Sequence, residues 1–116
     1  DADCLEMPMA VLVNSASYSA AEFFAAALRE YEAAVVVGEQ TVGKGYFQIT
    51  YQLSDGSAVA LSSGKYFTPK GISLAETGVT PDVVVIPEEK EAEGIYYGTL
   101  QPQEDPQIQA AIRALK

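Results

Sequence analysis

Residues 9–38 read MAVLVNSASYSAAEFFAAALREYEAAVVVG, and this stretch decides the fold. Met9 to Val13 is a short continuous apolar run, the pattern of a strand covered on both faces. Ser15 to Ser19 is small and polar, which predicts a loop. Ala20 to Glu32 is rich in alanine, with Phe23, Phe24, Ala27, Leu28 and Tyr31 at helical spacing. That stripe predicts an amphipathic helix. Ala33 to Val37 is a second buried run, closed by Gly38. Strand, helix and strand within about thirty residues make a βαβ unit, so the strands run parallel with a right-handed crossover.

After Gly38 the period changes. From Tyr46 to Leu53 the residues alternate, with Phe47, Ile49, Tyr51 and Leu53 on one side, which predicts a half-buried strand. Ser54-Asp55-Gly56-Ser57 is a turn, and Ala58 to Ser63 returns antiparallel as a hairpin. Thr68-Pro69-Lys70-Gly71 marks another turn, and Val83 to Ile86 reads as a last short strand. The charge run Glu88 to Glu93 reads as a solvated loop. Asp105-Pro106 is a helix start, an acid at the N-cap followed by proline at the first position. Ile108, Ala111, Ile112 and Leu115 give that helix a docking face. The class is α/β.

Composition closes several doors. The 116 residues carry seven basic and sixteen acidic side chains, a net charge of −9, which phosphate backbones repel. Nucleic acid is therefore excluded as an expected partner. No apolar run reaches the roughly 18 residues of a membrane span, and nothing reads as a signal peptide. The single cysteine, Cys4, has no partner for an internal disulfide. Histidine is absent, so no Ser-His-Asp arrangement and no His-bearing zinc site exists within the chain. A base for hydrolysis must be lysine or a carboxylate.

Ser19-Ala20-Ala21-Glu22 has the form of a capping box, a structural reading in its own right. A serine at a helix N-terminus is also well placed for acyl transfer. Free amides and the positive end of the helix dipole favour negative charge on a substrate oxygen. Lys44 lies in Gly43-Lys44-Gly45, where the bland reading is an exposed turn residue. As a base it must be neutral, which requires its pKa to fall from about 10.4 to roughly 7–8 by desolvation. Val42, Tyr46 and Phe47 supply an apolar setting. Gln48 would stand about 13 Å from Lys44 in an extended strand, so contact between them needs a bend at Gly43–Gly45. Residues 38–44 also match the start of a phosphate-binding loop. Gly45 stands where Ser or Thr should follow, and a strand follows in place of a helix, which excludes that reading.

Taken together, Val11 through Asn14, Ser17-Tyr18-Ser19-Ala20-Ala21-Glu22, Val37 through Gly45, Gln48, Leu53 through Ser57, Lys65 through Gly71, Gly78 through Asp82 and the final Asp105-Pro106-Gln107 helix resemble the carboxyl-terminal processing peptidases, or tail-specific proteases. The resemblance runs from about residue 9 to the C-terminus. It implies a crotonase-like core, of which residues 1–116 are the C-terminal part, with no PDZ domain. It also implies a serine endopeptidase that cleaves polypeptides near their C-terminus through an acyl-enzyme. The nucleophile falls on Ser19 and the base on Lys44, 44 − 19 = 25 residues on. Gln48 orients the lysine, and the backbone N–H of Ala20 serves the oxyanion hole. Tyr18 departs from the usual alanine, and Val42 from a common phenylalanine. No metal or organic cofactor is expected. The expected partners are protein or peptide substrates and a second copy through an exposed sheet edge. The expected location is outside the cytoplasm, at the membrane-associated cell envelope. The chain by itself is expected to be inactive or weakly active. Two rivals keep the fold without the chemistry: a non-catalytic carrier module, and an interaction domain whose serine only caps a helix.

Overall fold

The computed structural model describes residues 6–115, so Cys4 lies outside the described residues. The elements are β1 (Ala10–Val13), α1 (Ala20–Glu30), β2 (Val35–Gly38), β3 (Tyr46–Gln52), β4 (Ala58–Lys65), β5 (Val83–Val84), α2 (Glu89–Tyr96) and α3 (Pro106–Ala114). Strands β1, β2 and β5 form one parallel sheet in the order β1-β2-β5, with Ala10 opposite Val35 and Val37 opposite Val83. The βαβ unit is therefore present.

The central strand β2 explains the unbroken valine run. Val36 faces Val13, Ala25, Ala26, Leu74 and Val79 on the α1 side. Val37 faces Ala110 and Ala111 of α3 on the other. Alternate residues of one strand thus enter two cores, and a polar residue at either would lie against a helix. Asp82 adds to this strand, its amide donating to the Val36 carbonyl and its carboxylate accepting from the Val36 amide (2.8 and 2.9 Å).

Several expectations need correction. In β1, Leu12 is exposed, because the first strand is covered less completely than β2. In α1 the buried residues are Glu22, Ala25 and Ala26, whereas Phe24 and Tyr31 are exposed. Small side chains let this helix lie close to the sheet; of the aromatic stripe, Phe23 packs against that core, and Phe24 and Tyr31 face away from it. Similarly α3 docks through Gln107, Ala110 and Ala111, and Ile112 is exposed. The charge run 88–93 is not a loop. It starts α2, where the Glu88 amide donates to the Glu91 carboxylate (2.8 Å) and acids in the first turn suit the helix dipole.

The hairpin is present, with β3 and β4 antiparallel and Ile49 opposite Leu61. It is not half-buried as expected. Every residue from Gln48 to Ser63 is exposed, because the two-stranded ribbon projects from the sheet layer. The ladder slips between Phe47 and Gln48, leaving Ser63 as the extra residue of a bulge. The Asp105 side chain accepts from the amides of Gln107 and Ile108 (2.8 and 3.1 Å), so the expected start of α3 is found.

Candidate active site

The loop between β1 and α1 is folded by local hydrogen bonds. The Asn14 amide donates to Ser17 Oγ (3.0 Å), and the Ser17 amide to the Asn14 carbonyl (2.9 Å). This turn delivers the chain to Ser19 at φ +58°, ψ −123°, a conformation that L-residues rarely adopt. The strain places a serine on a sharp strand-to-helix corner, directly before α1. Such geometry costs about 1–3 kcal/mol and persists only where neighbours hold it.

The neighbour that holds it is Glu22. Its side chain is fully buried and accepts four hydrogen bonds. Oε2 takes the Ser19 amide (2.8 Å) and the Lys44 amide (2.9 Å). Oε1 takes the Thr41 hydroxyl (2.5 Å) and the Gly43 amide (2.6 Å). The capping box is in place, with the Ser19 amide on the Glu22 carboxylate, and the Glu22 amide also bonds to the Ser19 carbonyl (3.0 Å). The carboxylate is better described as a clamp between the serine corner and the glycine-lysine loop. Its burial is made tolerable by four donors on two oxygens.

The lysine loop bends where expected. Gly43 has φ +84°, and the Gly45 amide donates to the Gly43 carbonyl (3.0 Å), placing Lys44 at the apex of a tight turn. A Cβ on Gly43 would come within 2.9 Å of the Thr77 and Gly78 amides, so both conformation and space require glycine. The Glu76 amide also donates to the Gly43 carbonyl (2.8 Å). A backbone bond from Val42 to Ser17 (3.0 Å) completes the seam between the two loops.

The side chains within this frame are disposed as follows. Lys44 is exposed, and its Nζ lies over the Tyr18 ring, 5.5 Å from the centroid. No hydrogen bond joins Ser19 Oγ to Lys44 Nζ, nor Gln48 to Lys44, among the described residues. Gln48 is exposed on the hairpin, opposite Ser62 and beside the bulge. Val42 is exposed too, so the water-free setting expected around Lys44 is not formed by the described residues. Ala20 is the first residue of α1, and its amide is among those a helix leaves without an internal acceptor. The backbone thus brings Ser19, Ala20 and Lys44 to one seam, and Gln48 makes no hydrogen bond to it among the described residues.

Sequence reasoning missed the clamp. Glu22 read by its own pattern as a helix cap, and although it and Thr41 both lie in the family-like stretches, nothing in the sequence paired them. Thr41 is nevertheless buried, donating to Glu22 and accepting from the Val79 amide (2.7 Å), which ties the 74–79 segment to the same centre. Among the described residues, no group of three or more Cys, Asp or Glu side chains is arranged to hold a metal ion. No helix among them is long and apolar enough to cross a membrane.

Known proteins are similar to this chain in sequence and in fold. The sequence profile of peptidase family S41 matches residues 2–85. The carboxyl-terminal-processing protease of Synechocystis sp. is 38% identical over 110 residues, 95% of this chain and 25% of that protein. The chloroplastic C-terminal processing peptidase of Tetradesmus obliquus is 44% identical over 81 residues, 70% of this chain and 18% of that protein. A solved photosystem II D1 C-terminal processing protease superposes with a TM-score of 0.67 at 43% identity, over 72% of this chain and 22% of that one. Mature CPAF complexed with lactacystin superposes at 0.66 and 25% identity, over 93% and 21%. The chain therefore spans roughly a fifth to a quarter of the relatives it matches. On the family profile, the parallel α/β core and these relatives together, the chain belongs to peptidase family S41, the family of C-terminal processing serine proteases.

Proposed function

We propose that this chain carries the nucleophile and base of a serine endopeptidase that cleaves polypeptides near their C-terminus. Ser19 attacks the peptide carbonyl, and neutral Lys44 takes its proton. The Ala20 amide receives the developing oxyanion, and Lys44 passes the proton to the departing amine as the C–N bond breaks; the lysine, neutral again, then takes a proton from the water that hydrolyses the acyl-enzyme and returns it to Ser19 Oγ. Gln48 orients the amine when the lysine turns toward the serine. Protein or peptide substrates, self-association through an exposed sheet edge, and a location outside the cytoplasm at the cell envelope belong to the same reading. Residues 1–116 supply the C-terminal part of its catalytic core.

The observation that supports this most is the Glu22 clamp, which ties the amide of Ser19 to those of Gly43 and Lys44 through one buried carboxylate. A serine that only caps a helix needs no such tie to a lysine loop. The test is substitution in the natural-length protein, read by hydrolysis of an unstructured polypeptide with an apolar C-terminus. Ser19→Ala and Lys44→Ala are each expected to abolish turnover. Lys44→Arg is expected not to restore it, because a guanidinium stays charged. Full activity in the arginine variant would remove Lys44 as the base.

A further inference from the structure

We propose that Tyr18 is a positioning residue for Lys44: its ring holds the lysine ammonium in a resting place beside the nucleophile, which the side chain must leave to serve Ser19. This rests on the Ser19–Lys44 reading above. The 5.5 Å separation lies within the range over which a ring face attracts a cation. That attraction is to the ammonium and not to the neutral amine, so the contact opposes base function for as long as it lasts.

Surface contacts of this kind often mean little, because two mobile side chains must both be ordered. Here the backbones beneath them are already fixed. The Val42 amide bonds to the Ser17 carbonyl, one residue from Tyr18, and Glu22 holds the amides of Ser19 and Lys44. Ring and amine therefore project from a single braced seam, and little further ordering is needed to bring them together. The other charged groups on the segments packed around Lys44 are Glu22, whose oxygens are already committed to four donors, Glu76 and Lys65. Lys65 lies over its own ring, that of Tyr46 at 5.4 Å. Tyr18 is the aromatic ring that faces Lys44. It is 56% exposed, so changing it leaves the core intact.

The experiment pairs a spectroscopic readout with a reactivity readout at neutral pH. Lysine labelled with ¹³C at Cε reports the ring current of Tyr18 on the Lys44 methylene, assigned through Lys44→Arg. The upfield shift is expected in the wild type and in Tyr18→Phe, and absent in Tyr18→Leu. In the natural-length protein, labelling of Ser19 by an uncharged fluorophosphonate is expected to run about two- to fivefold faster in Tyr18→Leu, with Tyr18→Phe close to wild type. No ring-current shift in the wild type would overturn the proposal, as would equal or slower labelling in Tyr18→Leu. Lys44→Met provides the separate control. If it labels as fast as the wild type, the dyad itself falls and the proposal falls with it. That outcome is distinguishable because the ring-current shift of the wild-type protein would remain.

Discussion

At Ser19 a hydroxyl-bearing residue occupies a backbone conformation better suited to glycine. The cost is offset by the bond from its amide to Glu22 and by the turn that precedes it. Two substitutions separate geometry from chemistry. Ser19→Ala and Ser19→Gly both delete the hydroxyl, but only glycine relieves the positive φ. Ser19→Gly is expected to be more stable than Ser19→Ala by about 1 kcal/mol, measured by urea unfolding of both variants. Equal stabilities would mean that the corner is unstrained. Glu22 teaches a different lesson at this scale. A carboxylate read as a helix cap becomes, once the chain is folded, the common acceptor for residues about twenty positions apart.

Among the elements, α1 carries the most information about assembly. Its buried face is Glu22, Ala25 and Ala26, so it meets the sheet through alanines and a clamp. Its last turn reaches the other way. The Glu30 carboxylate accepts the Lys70 amide (2.8 Å) and so fastens the 68–71 turn to the helix end. The Thr68 hydroxyl, the Lys70 amide and the charges of Lys70 and Arg29 hold the Glu30 carboxyl below its ordinary value of 4.5. Because the folded pKa lies below the unfolded one, the stabilisation is complete above the unfolded value. It is lost as pH falls through the folded one. Glu30→Gln is therefore expected to be less stable than wild type at pH 7, with the two curves converging once pH is well below the carboxylate range. Thermal unfolding followed across pH checks this, and a constant difference at every pH would remove Glu30 as its source.

Across the whole molecule, mass is distributed unevenly. The radius of gyration is 17.1 Å, against about 13 Å for a compact chain of this length. The β3–β4 ribbon, exposed from Gln48 to Ser63 and packed chiefly on itself, contributes to the excess. Its pairs Ile49–Leu61 and Tyr51–Val59 put apolar side chains together on one exposed face. A two-stranded ribbon without a packed face is marginal in water. The sheet layer, by contrast, has helices on both faces of β2. Amide hydrogen exchange is expected to divide the molecule along this line. The ladder amides of residues 49–51 and 59–61 should exchange at least about a hundredfold faster than those of Val36 and Val37. Comparable protection in both would show that the ribbon is stabilised by a partner in solution.

The βαβ unit, the hairpin, the start of α3 and the bend at Gly43–Gly45 were all legible in the sequence. Each depends on local pattern: apolar period, turn chemistry, capping residues and motif order. Which faces are covered was not legible. Phe24 and Tyr31 of α1 and the alternating side of β3 both look like core. Alanines were chosen at the first, and at the second the ribbon leaves the sheet after a bulge. A hydrophobic period says that one side differs from the other, but burial depends on what the rest of the chain sets against it. The four-donor clamp at Glu22 was illegible for the same reason. Its partners at positions 41, 43 and 44 meet the carboxylate only after β2 has paired beside β1 and the glycine loop has turned back onto α1.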